Sequence, residues 1–247
     1  MTRPVARSFD VGGAFESIWP DLIRINDPTV RAIEQRFTES TAPGLTRQAN
    51  LLHYVAFGQL HTPGSAAVRP LNYKFFYHFY QDWDQHRYSF QRFEADLDHR
   101  PRLDENDGFR IRGRVSVSEA NTGQQVPFYL QQTLGGANMQ KEDTLRGFRN
   151  YRFRDLDLIL LQSEYARELK GPLKFLLFYD VGKVAPRLSD FDLGRLGQTW
   201  GLGLTVTSKK KEDVLLRFYI AFGSGEGSHS SFGPGPALTG HGDRLVR

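Results

Sequence analysis

Residues 109–117 alternate without a break. Phe109, Ile111, Val115 and Val117 share one side with Gly113, while Arg110, Arg112, Arg114 and Ser116 share the other. An extended chain sends successive side chains to opposite faces, so a β-strand separates these two sets and a helix would mix them. The pattern recurs along the chain. Val214, Leu216, Phe218, Ile220 and Phe222 oppose Arg217 and Tyr219, and Trp200, Leu202, Leu204 and Val206 alternate with Gly201, Gly203, Thr205 and Thr207. Phe9, Val11, Gly13, Phe15 and Trp19 oppose Ser8, Asp10, Gly12 and Glu16. Further strands read at about 47–60, 72–83, 88–98, 155–168 and 172–182, with a weak last one near 228–234. The chain is therefore expected to be all-β and antiparallel, with about ten strands.

Helical periodicity is confined to Asp27–Phe37, where Asp27-Pro28 resembles an N-cap followed by a first-turn proline, and a short helix within a long loop is expected there. The connections alternate in length. Short polar turns fall at 100–108, 168–172 and 209–213, and longer segments at 20–46, 121–154 and 185–199. Short turns at one end and long loops at the other characterise transmembrane β-barrels. A soluble sandwich or a lipocalin-like barrel alternates too. The number of strands with a polar side (Arg92, Glu94, Asp96 and Asp98; Gln162 and Glu164; Lys174 and Asp180) favours a barrel with a hydrated lumen.

Composition enters as a test of that reading. Hydrophobic residues make up 39% of the 247, and mean hydropathy is -0.48, which excludes a bundle of membrane-spanning helices. A barrel strand needs only about 9–11 residues and shows lipid one face, so low hydropathy leaves a membrane barrel open. The 19 Phe, 10 Tyr and 24 Gly suit curved sheet with aromatic girdles. The absence of cysteine excludes disulfides and thiolate metal sites. The net charge of +4 is spread through the alternating segments rather than gathered in a block, so no nucleic-acid partner is expected.

Residues 126–155 carry a more specific signal: Val-Pro-Phe-Tyr-Leu-Gln-Gln-Thr-Leu-Gly-Gly, then Leu145-Arg146-Gly147-Phe148 and a run of arginines and aromatics to Asp155. This resembles the sixth extracellular loop of the BamA/TamA superfamily, the bacterial surface antigen barrels, whose signature is an aliphatic residue before Arg-Gly-Phe or Arg-Gly-Tyr. Two further matches follow in order. Leu161-Gln162-Ser163-Glu164-Tyr165 resembles the next strand with its lumenal glutamate, and Phe178-Tyr179-Asp180-Val181-Gly182 the Phe-x-Asp-x-Gly of the strand after it.

The resemblance implies that the loop folds back into the lumen, so that Leu145, Arg146, Gly147, Phe148, Glu164, Phe178, Asp180 and Gly182 form a structural latch. In it Arg146 would meet the two carboxylates, Gly147 would allow close backbone approach and Phe148 would pack inside. It also implies the C-terminal part of a sixteen-stranded barrel, the seventh to sixteenth strands, with five before the loop and five after it. Barrel strands are expected over 1–236 and an irregular polar tail over 237–247. For an exported protein, an opening Met1–Val5 without the apolar core of a signal peptide implies further chain upstream.

The sequence departs from the family pattern at Ala166, at the inserted run Met139–Asp143 in the loop, and after Phe232, where Gly233-Pro234-Gly235-Pro236 replaces a closing aromatic.

No enzyme, cofactor or metal is expected. The seven histidines fall in different segments without metal-ligand spacing, and Gly223–Gly227 lacks the strand–loop–helix setting of a phosphate loop. His78 and Asp82 share a strand face and are read as a lumenal polar pair. The resemblance implies the bacterial outer membrane, with its lipids, nascent outer-membrane proteins and accessory lipoproteins as partners. The implied function is insertion or translocation of outer-membrane proteins. The alternatives are a passive secretion or transport pore of the same superfamily, or a truncated fragment without function.

Overall fold

A computed structural model describes residues 2–6, 9–23, 32–61, 71–101, 104, 106–208 and 214–233. In chain order the strands are β1 (Thr2–Ala6), β2 (Phe9–Ile18), β3 (Leu51–His61), β4 (Asn72–Asp82), β5 (Phe90–His99), β6 (Asp107–Glu119), β7 (Gln132–Leu134), β8 (Phe153–Asp155), β9 (Asp157–Glu168), β10 (Leu173–Ala185), β11 (Gly197–Thr207), β12 (Val214–Gly223) and β13 (Gly227–Gly233). All but β7 and β8 form one antiparallel sheet of eleven strands, each beside its sequence neighbour, with β6 pairing β9 across the long loop. The short β7–β8 ladder is a hairpin inside that loop. Among the described residues the sheet is open, with β1 and β13 at its two edges.

Two details refine the sequence reading, and a third expectation lies outside the described residues. Eleven strands are present where the alternation shows ten, because β1 contains Pro4 and is too short to display a period. It pairs with β2 from Thr2↔Gly12 to Ala6↔Phe9, as an edge position tolerates. Six strands therefore precede the long loop. The helix expected at Asp27–Phe37 reduces, within the described residues, to a single 3-10 turn at Ile33–Gln35, with residues 24–31 outside them. The tail at 237–247, together with 234–236, also lies outside the described residues.

The sheet is inverted relative to a soluble protein. Its apolar face is open: Phe75, Phe93, Leu177, Trp200, Leu202 and Phe218 are all exposed, Trp200 at 54%. Its polar face is buried, with Arg92, Arg110, Arg112, Arg114, Gln162, Glu164, Asp180, Thr199 and Arg217 at 8% exposure or less. The polar face is covered chiefly by the loop 120–152. Leu134, Leu145 and Phe148 of that loop pack with Leu158 and Leu160 of β9. A second cluster, Ala49, Leu51, Tyr80, Tyr88, Phe90 and Val126, closes the long-loop end of the sheet.

Candidate functional site: a loop anchored on the buried polar face

Arg146 sits at the centre of the buried face, 1% exposed. Its backbone N–H donates to Asp180 Oδ2 at 3.2 Å, Nε to the same oxygen at 2.9 Å, and Nη2 to Asp180 Oδ1 at 2.7 Å. Its remaining arm, Nη1, donates to Glu164 Oε2 at 2.7 Å. The planar fork thus spans β10 and β9 at once, which a lysine's single ammonium would not do. The strands present the acids together because Glu164 pairs with Phe178 and Asp180 with Gln162 in the β9–β10 ladder, so all four side chains share a face. The Phe178 ring lies under the guanidinium, 3.5 Å from Cζ to the ring centroid, and stacks edge-on to Tyr219. Burial by itself would lower the Arg146 pKa, but Asp180 and Glu164 offset it and raise the value, so the group stays a cation.

The neighbouring signature residues pack the loop down. Leu145 is fully buried and Phe148 is 4% exposed, with its ring 5.2 Å from that of Phe153. The Gly147 N–H donates to Thr199 Oγ1 on β11 at 3.2 Å. A β-carbon at Gly147 would lie 2.5 Å from Gly223 N and 2.6 Å from Phe222 C, so only glycine lets the loop backbone touch the backbone of β12. Gly182 leaves room for Leu134 of the loop, whose Cδ1 would lie 3.1 Å from a β-carbon there.

Further residues join this site beyond the eight expected to form the latch. Arg217 on β12 donates to Glu164 Oε2 at 2.8 Å and lies 3.6 Å from Asp143 of the loop. Gln162 Nε2 donates to Thr144 O at 2.8 Å. Their alternation puts them on the polar face, but only the pairing of distant strands gathers them around one arginine. Of the other arginines near the signature, Arg152 reaches Glu226 in the β12–β13 turn at 2.6 Å, and Arg154 donates to the Phe128 carbonyl.

Away from the latch, His78 does not pair with Asp82 although both face inward. His78 Nδ1 lies 3.0 Å from His53 Nε2, and His53 Nδ1 lies 2.7 Å from Glu16. Asp82 instead accepts backbone N–H groups of Asp84, Gln85, Arg87 and Tyr88 and so shapes the β4–β5 loop. Among the described residues no three His, Asp or Glu side chains gather as metal ligands. The described residues also contain no helix long and apolar enough to cross a membrane, which says nothing of strands.

No family model matches the sequence, and a search of curated proteins finds no match. Among solved structures, the fold is similar to that of BamA from Haemophilus ducreyi lacking POTRA domains 1-3, with a TM-score of 0.59 at 12% identity. The similarity covers 94% of this chain and 53% of that one, so the chain spans about half the length of the solved protein. The architecture is a BamA-like antiparallel barrel sheet.

Proposed function

We propose that this chain is part of a bacterial outer-membrane β-barrel that acts, without covalent catalysis, in the insertion or translocation of outer-membrane proteins. The observation that carries the reading is the inverted sheet with a loop arginine buried between two strand carboxylates. An exposed face of Phe, Leu and Trp fits a hydrocarbon environment, where a closed sheet satisfies its backbone and offers apolar side chains to lipid. The buried, ion-paired loop keeps the inner surface shaped and has no leaving group or nucleophile to serve. Outer-membrane lipids, nascent barrel proteins and accessory lipoproteins are the partners this role calls for.

The mechanism we propose is templating at a strand edge. β13 has the composition Gly-Ser-His-Ser-Ser-Phe-Gly, with little side-chain surface to hold a neighbour. An edge strand carries unpaired N–H and C=O groups, and in a nonpolar medium a substrate strand that satisfies them gains more than it would in water. The passive-pore alternative is less well supported, because the loop 120–152 covers the surface along which solutes would pass.

Two measurements test this. Trp19, Trp83 and Trp200 are 68%, 47% and 54% exposed, so their fluorescence is expected to be quenched by brominated acyl chains when the protein is folded into vesicles. Vesicles carrying it are expected to fold a small outer-membrane barrel faster than empty ones. Membrane insertion with no acceleration, together with steady ion conductance, would favour the pore. Absence of quenching would remove the membrane reading itself.

A further inference from the structure

The inserted run Met139–Asp143 has no counterpart in the signature, yet it too is anchored on the buried face. Asn138 and Glu142 close a tight hairpin: Asn138 N–H donates to Glu142 O at 2.9 Å, Glu142 N–H to Asn138 Oδ1 at 2.9 Å, and Asn138 Nδ2 to Glu142 Oε2 at 3.1 Å. Lys141, between them, takes φ +62°, a conformation unfavourable for a residue with a β-carbon. The hairpin drives the Glu142 carboxylate into the sheet. There Arg114 Nη1 donates to Oε2 at 2.8 Å, and Arg112 Nη2 lies 3.3 Å from Oε1. Asp96 of β5 closes the cluster, accepting from Arg114 at 2.8 Å and lying 3.7 Å from Arg112. The Glu142, Arg112 and Arg114 side chains are 8%, 2% and 6% exposed.

The charges define what this cluster does. Two guanidiniums face two carboxylates, and one of the carboxylates belongs to the loop. Without it, β5 and β6 would bury a net positive charge, which is costly where water is scarce. At the Arg146 site the polarity is opposite: the loop brings the cation and the strands bring the acids. The loop segment therefore reads acid, acid, cation at Glu142, Asp143 and Arg146, against cations at Arg112, Arg114 and Arg217 and acids at Glu164 and Asp180. Sliding the loop either way would carry one of its anchors toward strand charges of the same sign, so the two anchors together oppose a slipped position.

We infer that Glu142 is a positioning residue, a second latch of reversed polarity. It ties the loop to β5 and β6 while Arg146 ties it to β9 and β10, so the loop is held across the inner face at two separated points. This rests on the reading of the loop as the element that shapes the lumen, and it assigns the inserted run a role in that element.

Hydrogen exchange on the folded chain in detergent tests it. The amides of Asn138 and Thr144 donate to Glu142 O and Gly136 O, so they report the hairpin directly. Glu142→Gln is expected to speed their exchange at least tenfold, the size expected from losing charge-assisted hydrogen bonds, while β10 and β11 stay protected. In an Arg114→Met background the same change is expected to add less than about threefold, because the nearer partner is already gone and only Arg112, at 3.3 Å, remains to be lost. Exchange within about twofold of wild type, or an equal effect in both backgrounds, would overturn the inference. Where Glu142→Gln does not fold, Glu142→Asp keeps the charge but shortens its reach, and an unchanged exchange rate in that variant overturns it equally. These ratios hold whether or not the protein accelerates barrel assembly, so failure of the assembly reading is seen separately.

Discussion

Removing the Arg146 guanidinium while leaving its two acids in place should be among the most damaging single changes in this chain. Asp180 is fully buried and Glu164 is 6% exposed, and Arg146 supplies three of the hydrogen bonds to Asp180 and one to Glu164. In Arg146→Ala the backbone bond to Asp180 remains available and Arg217 still reaches Glu164, but Asp180 loses its bidentate cation and Phe178 its stacked partner. Breaking a buried pair from one side typically costs about 3–5 kcal/mol, most of it from the charge left behind. That origin makes a second variant diagnostic. Arg146→Ala combined with Asp180→Asn removes the stranded charge and is expected to recover roughly half of the loss. Arg146→Lys should fall between wild type and Ala, since an ammonium cannot bridge both acids in a fork. The assay is urea unfolding of the detergent-folded protein, followed by the shift in gel mobility between unheated and boiled samples. A change below about 1 kcal/mol for Arg146→Ala, or no recovery in the double variant, would refute the claim that this pair holds the loop.

Further changes test other parts of the sheet. Gly147→Ala sets a β-carbon against the β12 backbone, 2.5 Å from Gly223 N, and is expected to cost about 1–3 kcal/mol in the same unfolding assay; wild-type stability would mean the loop does not touch β12. Leu202→Arg places a charge on the exposed apolar face midway along β11 and should destabilise the vesicle-inserted protein by about 2–4 kcal/mol, whereas an unchanged midpoint would place that face in water. Glu39 accepts bonds from Tyr88 Oη at 2.6 Å, Gly44 N at 2.5 Å and Thr46 N and Oγ1. Burial alone would raise its pKa, but these bonds outweigh it and lower the value from 4.5 to about 2. A depressed carboxylate stabilises fully above its unfolded pKa and loses that contribution as pH falls through its folded one. Wild type should therefore exceed Glu39→Gln in melting temperature at pH 7, and the gap should close between about pH 4.5 and pH 2. A gap constant across that window would exclude the carboxylate as its source.

How much of the fold and of the latch is legible in the amino-acid sequence depends on the range of the forces involved. Strand identity is local: the Arg110, Arg112, Arg114 ladder specifies a strand by alternation alone, and β6 runs from Asp107 to Glu119 as that pattern requires. Strand β1 escapes because Pro4 and five residues carry no period, and its place comes from pairing with β2. The helix expected at Asp27–Phe37 is described only from Ala32 on, where the single 3-10 turn Ile33–Gln35 buries no residue and so gives further turns little to pack against. Phase is legible too, and it puts Gln162, Glu164 and Asp180 on one side. The partner of each inward charge is not, since Arg217 and Glu164 are 53 residues apart and meet only through the β9 to β12 order.

Glu142 shows why an insertion is hard to judge from sequence alone. Met139–Asp143 lies outside the signature, and by length it reads as a disturbance of the loop's docking. Its effect depends on where its charges fall, and that is set by the fold: Asp96 satisfies only part of the positive charge of Arg112 and Arg114, and the added hairpin is long enough to bring a carboxylate to the remainder. Arg112 and Arg114 on the inner face of β6 therefore share a carboxylate partner from the loop. The same electrostatic need that makes Arg112 and Arg114 costly beneath a protein layer makes an acidic insertion above them favourable, so strand ladder and loop insertion are two halves of one charge balance.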